Sequence, residues 1–547
     1  WTLLVASGGR ACQNKPRQGY APAARLVSGA GPCYSFSPMQ PTHSQLEVDV
    51  LIVGAGPAGL ACAIRLARLS GGARSILVLE KAAHLGGHLL SGAVIHPEPF
   101  QQLLTAEEYA ALPLGPAVAR DTFHALLPGL AIPLPFVPPK MRMHGLPLVS
   151  VSSLDRALGK TATSLGVEIL TGQTADALVW DGDRVAGVVT HEEKILAATT
   201  VLAEGPAGLL TRELLERHPD LRGPNLQTHS LGFKEIVEIP PNARAIGTVA
   251  HTFGYPLGLG IYGGGFIYHV DETHVALGFA LAIDYRDPAT YPHDLFRRWK
   301  RHPFVQRHIA GGKVVEYGAR LVPEGGWHSL VRLAAPGAFI IGDSAGLVDT
   351  MELKGIHLAV ESGMAVAEAI QRGGALRLED IPALEGLRRT ANYRAAFRAG
   401  LPVGMAAAGL TWLSRGRLPA GRLAQRDERG CLRPAGRKAP PPAAPDSGQH
   451  DLGIDSDLYL AHLRHRPDSE HIEIREGEKC RECFRRYAAP CTRFCPAGVY
   501  EADEPAASIR IRPENCVQCR CCTLKCPFDN ILWETPQHGV GPDYREM

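Results

Sequence analysis

The sequence predicts a mixed α/β and α+β architecture in three parts. These are a doubly wound, Rossmann-type nucleotide domain, an antiparallel sheet inserted into it, and a small cysteine-rich domain at the C-terminal end. Three observations carry this expectation. The apolar run Val48–Val53 leads into Gly54-Ala-Gly56-Pro-Ala-Gly59 and a helical pattern. Far downstream, Ala338-Phe-Ile-Ile341 ends in Gly342-Asp343. Cys480, Cys483, Cys491, Cys495, Cys516, Cys519, Cys521, Cys522 and Cys526, nine of the 13 cysteines, crowd one stretch.

At 547 residues the chain is long enough for two or three domains. Lys and Arg number 57 against 55 Asp and Glu, a near-neutral balance that gives no reason to expect a nucleic-acid partner. No run of eighteen apolar residues supports a spanning helix. Residues 1–46 carry Arg10, Lys15, Arg17 and Arg25 and no acid. They read either as a transit-type leader or as a disordered extension, outside the fold.

Val48–Val53, the glycine run, a helix over Leu60–Leu69 and a second apolar run from Ser75 to Leu79 ending in Glu80 form the strand–turn–helix–strand–acid series of a dinucleotide site, opening a domain over 48–430. Gly54 suits the tight turn, Gly56 the close approach of a pyrophosphate, and Gly59 close helix–strand packing. The helix N-terminus offers free N–H groups to the phosphates, and Glu80 is placed to accept from ribose hydroxyls. Gly86-Gly87-His88-Leu-Leu-Ser91-Gly92 follows, a glycine-rich loop of the kind that lies along a flavin, with Gly87 and Ser91 as its contacts.

The downstream run Gly342-Asp343-Ser-Ala-Gly346, with a helix expected from about Lys354 to Ile370, resembles the glutathione-reductase-like FAD proteins of the hydroxylase and geranylgeranyl-reductase type. That resemblance implies that Asp343 binds the ribityl chain. It also implies that the helix start at Gly355-Ile356 turns its N–H groups toward the flavin pyrimidine, where the helix dipole favours negative charge.

The region of about 90–335 is expected to hold the inserted antiparallel sheet, with strands such as Arg184–Thr190 and Val275–Leu281. Thr200–Glu204 reads instead as a strand of the nucleotide domain. In Tyr262-Gly263-Gly264-Gly265-Phe266-Ile-Tyr268-His269 the glycines imply close approach by a flat ligand or by backbone. Tyr262, Phe266 and Tyr268 are candidates for an apolar slot.

Two uncharged stretches, Ala125–Pro139 and Ala399–Leu413, are too short or too proline-rich to span a bilayer. The second ends in Trp412-Leu413 ahead of Arg415, Arg417, Arg422 and Arg426, which suits a monotopic contact with an anionic leaflet. A proline-rich linker over 431–455 then leads to a cysteine domain over 456–547.

Cys516-x2-Cys519-x2-Cys522-x3-Cys526-Pro527 has the spacing that wraps a [4Fe–4S] cube, in which the cysteine before proline serves another cluster. Cys521 is off register. A zinc ribbon, the alternative, needs neither a third cysteine at this spacing nor a Cys-Pro step.

In order along the chain, Gly87-His88-Leu-Leu-Ser91-Gly92, the Tyr262–His269 stretch, Tyr317-Gly318-Ala319-Arg320, Lys354-Gly-x-His357, Cys495-Pro-Ala-Gly-Val-Tyr500 and the Cys516–Cys522 run resemble the electron transfer flavoprotein–ubiquinone oxidoreductase family over residues 48–547. The resemblance implies FAD, one [4Fe–4S] cluster held by Cys495, Cys516, Cys519 and Cys522, and a quinone pocket at Tyr262, Gly263 and Gly264. It implies electron transfer flavoprotein as donor, ubiquinone or menaquinone as acceptor, and a monotopic place on an inner membrane. Cys480, Cys483, Cys491 and Cys526 are not ligands in the family pattern. Under the Cys-Pro rule they form a second set of four, a second cluster, with zinc or free thiols as the alternative. Three other readings stand beside this one: a flavin hydroxylase or isoprenoid reductase with a fused ferredoxin, a quinone-reducing subunit of an electron-bifurcating complex, and a zinc-binding adaptor on a flavin fold.

Overall fold

The computed structural model describes residues 44–191, 193–436, 453–464 and 470–547. The expected leader lies outside them apart from Ser44–Leu46, and so does most of the expected linker over 431–455. Ser44–Leu46 in fact belong to the first strand, Ser44–Val53. Its first half pairs only with Glu193–Leu202, whereas Val50–Val53 sit between that strand and Ile76–Glu80 and are buried. A half-covered segment takes polar residues, so the apolar run marks only the part flanked on both sides.

Five parallel strands make the nucleotide sheet in the order Ala338–Ile340, Glu193–Leu202, Ser44–Val53, Ile76–Glu80, Glu168–Thr171. Thr200–Leu202 therefore lies where expected. The helices Pro57–Ser70 and Ile356–Arg372 cross at close range: a Cβ on Gly363 would stand 2.3 Å from the Ala58 carbonyl oxygen. This approach brings both helix N-termini to the carboxyl ends of the strands, where open α/β sheets bind ligands.

Arg184–Thr190 is not in the inserted sheet. It forms a hairpin with Ala175–Asp181 and pairs antiparallel with Glu193–Leu202 of the nucleotide sheet. Alternation signals an antiparallel neighbour but does not say whose edge the hairpin joins. The insert is accordingly not one span over about 90–335. Its seven strands run Lys313–Pro323, His229–Glu238, His274–Ala282, Gly263–His269, Thr248–Gly254, Arg120–Leu127, Leu130–Pro133, and residues 150–221 return to the nucleotide side. Only Thr248–Gly254 and Arg120–Leu127 pair in parallel. The helix Pro292–Lys300 covers this sheet. Its Trp299 fills the space above Gly265, where a Cβ would come within 2.3 Å of the indole, and donates Nε1–H to Thr252 Oγ1 at 2.9 Å. Next to it Lys300 and Glu235 form a fully buried ion pair at 2.6 Å.

The cysteine domain is two small antiparallel ribbons, Ile472–Ile474 with Ile531–Trp533 and Tyr500–Asp503 with Ser508–Ile511, plus the helices Gly477–Tyr487, Cys491–Phe494 and Cys521–Lys525. It shares a hydrophobic core with the inserted sheet. Polar ties fix it further: Tyr317 donates its hydroxyl to the Pro496 carbonyl at 2.9 Å, Lys81 Nζ to Gln518 Oε1 at 2.6 Å, and Tyr544 N–H to the Gly87 carbonyl at 2.8 Å.

Candidate functional site

The glycine run divides its tasks as the sequence predicts. Gly54 has φ +105°, and a Cβ there would lie 2.3 Å from the Ala203 carbonyl oxygen. A Cβ on Gly59 would lie 2.0 Å from the Gly54 carbonyl oxygen, so Gly59 is the packing glycine. Above Gly56 the nearest atom to such a Cβ is Leu89 Cδ2 at 3.7 Å, which leaves the backbone open toward the cavity. Glu80 accepts from Ala55 N–H at 2.9 Å and Ala82 N–H at 2.8 Å, so its carboxylate also braces the loop.

One cavity of ≈ 450 Å³ begins at Gly54, Gly56 and Glu80, passes Ser91, Asp343, Gly355 and Ile356, and continues past Tyr262, Gly263 and Gly264 to Leu401, Met405 and Ala408. Gly59, Gly87 and Gly342 stand behind its wall rather than in it. The cavity suits a flavin nucleotide on three counts. The helix Ile356–Arg372 begins at Gly355 with no side-chain cap, so its first N–H groups face the cavity. Both ring nitrogens of His88 are buried in the wall without a partner. Asp343 is half-buried in the cavity wall, where desolvation pushes its carboxyl up to about 6 and its oxygens are open to hydroxyl donors in the cavity.

At the far end Tyr262 packs against Phe397, ring centres 4.6 Å apart, with the Arg394 guanidinium over its face at 4.8 Å. Phe266 stacks on Tyr268 at 4.5 Å, and the Tyr268 hydroxyl meets His251 Nε2 at 3.1 Å. All three aromatics line the cavity. The neighbouring glycines answer first to the sheet: a Cβ on Gly263 or Gly264 would fall 2.2 Å from the carbonyl oxygen of Ala280 or Thr252. Both also line the slot.

One group was not foreseen. Nitrogen and carboxylate atoms of His96, Glu352 and His357 lie within 4.8 Å of one another, and His96 and His357 line the cavity. Although burial opposes it, hydrogen bonds from His96 and Lys140 hold the Glu352 carboxyl down at about 2. Lys140 thus competes with any cation for that carboxylate. Burial first, then His96, lowers His357 to about 4. Only His357 sat in a quoted motif; His96 and Glu352 carry no spacing signal, because the fold alone joins them.

Both uncharged stretches surface together. Leu127, Leu130, Ile132 and Phe136 of the first hairpin are exposed, as are Val403, Met405, Leu410, Trp412 and Leu413 of the helix Leu401–Leu413. The loop after Gly254 links them: Tyr255 N–H bonds the Leu126 carbonyl, and Leu401 N–H bonds the carbonyl of exposed Leu259. Leu259 adds an apolar residue that the sequence did not single out. No helix among the described residues is long and apolar enough to cross a membrane.

The eight expected cysteine ligands gather as two sets. Cys495, Cys516, Cys519 and Cys522 face one another beside the flavin wall, where Arg520 lines the cavity. The Tyr500 hydroxyl and the Trp533 indole N–H are buried against the sulfurs of Cys522 and Cys516 and have no other partner. Cys480, Cys483, Cys491 and Cys526 line a separate hollow. Among the described residues no three cysteine sulfurs come within 4.8 Å of one another. A tetrahedral zinc with bonds of about 2.3 Å would draw its sulfurs to about 3.8 Å. Thiolates bound to separate corners of a cube stand farther apart than that. Off-register Cys521 is buried against Tyr285.

Three family models match the chain. An NAD(P)-binding Rossmann-like domain covers residues 52–109, the ubiquinone-binding part of ETF-QO covers 229–322, and the 4Fe-4S part of electron transfer flavoprotein-ubiquinone oxidoreductase covers 450–545. The mitochondrial electron transfer flavoprotein-ubiquinone oxidoreductase of Oryza sativa is 34% identical over 99% of this chain and 98% of its own length. Its counterpart in Arabidopsis thaliana is 34% identical, covering 92% and 85%, and that of Homo sapiens 33%, covering 92% and 89%. At this identity over nearly its whole length, the chain belongs to the electron transfer flavoprotein–ubiquinone oxidoreductase family.

Proposed function

We propose that this chain is a membrane-associated oxidoreductase that takes electrons from reduced electron transfer flavoprotein and delivers them to ubiquinone. The observation that supports this most directly is the single cavity running from the glycine loop to the exposed apolar helix Leu401–Leu413. A lipid-soluble acceptor entering from the membrane reaches the flavin end without crossing water. When bound, FAD and a [4Fe–4S] cluster supply the one-electron steps that join a flavoprotein donor to a two-electron acceptor.

The residues divide the remaining work. Gly54, Gly56 and the helix start at Pro57 hold the pyrophosphate, Glu80 the ribose, Ser91 and the loop after Gly87 the flavin, and Asp343 the ribityl chain. The N-terminus at Gly355-Ile356 faces the flavin pyrimidine and favours negative charge there. Cys495, Cys516, Cys519 and Cys522 hold the cluster, with Tyr500 and Trp533 donating to its thiolates. Tyr262, Gly263 and Gly264 form the floor of the quinone slot. Quinol formation also consumes two protons, and the imidazoles of His96 and His357, which line the cavity, can relay them from solvent. The face around Trp412 and Leu127 rests on the leaflet of an inner membrane as a monotopic contact.

The test combines the purified chain, reduced electron transfer flavoprotein and a ubiquinone analogue. Stoichiometric quinol is the expected product. Absence of quinol, together with turnover of an organic substrate, would overturn the assignment.

A further inference from the structure

We propose that Cys480, Cys483, Cys491 and Cys526 hold a second [4Fe–4S] cluster, in series with the inner one and on its far side from the flavin cavity. Four ligands reach it from three separate elements. Cys480 and Cys483 lie one turn apart on one face of the helix Gly477–Tyr487. Cys491 opens the helix Cys491–Phe494, and Cys526 directly follows the helix Cys521–Lys525. All four line one hollow whose other walls are mostly apolar, including Phe484, Phe494 and Ile531, with Asn530 among them.

The connectivity is reciprocal. The helix Cys491–Phe494 gives Cys491 to the outer set and Cys495, followed by proline, to the inner. The helix Cys521–Lys525 gives Cys522 to the inner set and Cys526, followed by proline, to the outer. Each pair is four residues, about 6 Å of helical rise, apart. The two short helices therefore bridge the sets in opposite senses, which is the two-cluster arrangement of a ferredoxin.

The outer sulfurs are also oriented. Asn530, almost fully buried, donates its backbone N–H to Cys526 Sγ and its Nδ2 to Cys480 Sγ, both at 3.4 Å. It is itself held by Glu476, which gives its N–H to Asn530 Oδ1 at 3.0 Å and accepts from Nδ2 through its carbonyl at 2.8 Å. Free thiols need no such brace.

The position gives the cluster a task. Cys480 and Cys483 are half-buried on the helix Gly477–Tyr487, whose Arg481, Glu482, Arg485 and Arg486 are exposed, and Cys491 is half-buried on the next helix; of the inner set Cys495 and Cys522 are buried and Cys516 and Cys519 half-buried. Held there by Cys480, Cys483, Cys491 and Cys526, the outer cluster would supply a one-electron, proton-free relay nearest the exposed helix, where the donor's electrons would enter on the way to the cluster that Cys495, Cys516, Cys519 and Cys522 would hold. This entry role rests on the quinone oxidoreductase reading; the cluster itself does not.

The test is to measure iron, acid-labile sulfide and zinc per FAD on the whole chain purified without oxygen. About eight irons and eight sulfides per FAD are expected, four for each cube. Cys480→Ser and Cys526→Ser should each lower the count to about four with FAD retained, and the reduced parent should show two interacting spins where the variants show one. About four irons in the parent, zinc near one per chain, or eight irons surviving in both variants would overturn the second cluster. Quinol formation failing with eight irons present would sink the functional reading and leave the cluster standing. In Cys480→Ser, flavin reduction by electron transfer flavoprotein should slow at least tenfold while dithionite still bleaches the flavin. An unchanged rate would refute the entry role.

Discussion

Replacing Trp412 and Leu413 with serine strips two exposed apolar side chains from the end of the helix Leu401–Leu413. They are 54% and 73% exposed. A tryptophan presents about 200 Å² of surface, so roughly half of it, at about 25 cal/mol per Å², contributes about 2.7 kcal/mol on insertion. Leucine at this exposure adds about 1.5 kcal/mol. Together they are worth about 4 kcal/mol, near a thousandfold in partitioning. The expected result is a loss of vesicle binding of two to three orders of magnitude, read by cosedimentation with phosphatidylcholine–cardiolipin vesicles. Reduction of a water-soluble quinone analogue should stay at the parent rate, because Leu401, Met405 and Ala408 line the cavity from this helix and Trp412 and Leu413 do not. A change in vesicle binding below threefold would refute the membrane face. An equal loss of soluble-quinone reduction would mean that the helix end shapes the cavity instead.

Three other perturbations test different parts of the molecule. Tyr500→Phe removes a buried hydroxyl beside Cys522, placed to donate to its thiolate once a cluster is bound; losing about 1 kcal/mol that favours the more negative reduced cluster should lower its potential by about 40 mV in an EPR-monitored titration, and an unmoved potential would count against that bond. Asp343 in the flavin-free chain is raised to about 6 by burial, so the folded state holds the proton more tightly than the unfolded one, and stability falls as pH rises from about 4 to 6. Asp343→Asn should therefore make the flavin-free chain more stable at pH 7 by about 2–3 kcal/mol while weakening FAD binding, and equal denaturation midpoints for the two chains at pH 7 would contradict this. Lys300→Met leaves the buried Glu235 carboxylate without its ammonium partner, a cost of about 3–5 kcal/mol that the double change Lys300→Met with Glu235→Leu should largely recover; thermal midpoints of the three chains decide it.

What was legible in the sequence is what local chemistry requires. Gly54, Gly56 and Gly59 each answer to an atom within a few residues or on the next strand, so their spacing alone carries the turn, the opening and the packing contact. The Cys516–Cys526 spacing was legible for the same reason, since the spacings of a cluster loop are set by the loop itself. Partnership between distant segments was less visible. The hairpin Ala175–Thr190 has the alternation of any antiparallel pair, and nothing in it names the edge it joins. His96 comes from one stretch and Glu352 and His357 from another, and the two meet only because the helix Ile356–Arg372 starts beside the loop after Gly92. The glycines of the Tyr262–His269 stretch were read as admitting close approach by a flat ligand or by backbone, and Gly263, Gly264 and Gly265 line the cavity. Their stricter demand comes from Ala280, Thr252 and Trp299, neighbours that the fold supplies from other segments.

Arg520 and Thr535 of the cysteine domain are part of the wall of the flavin cavity, and Gln518 is tied there through Lys81. Biogenesis of the two kinds of redox centre is therefore interlocked. A chain synthesised without iron would have its cysteine loops unordered and its nucleotide chamber open on that flank, so it would shed a cofactor it never lost the residues to bind. Iron scarcity would then present as flavin deficiency: the chain recovered from iron-starved cells should carry substoichiometric FAD, restored when clusters are rebuilt in vitro before flavin is added. Full flavin occupancy in iron-free chains would show that the two cofactors are installed independently.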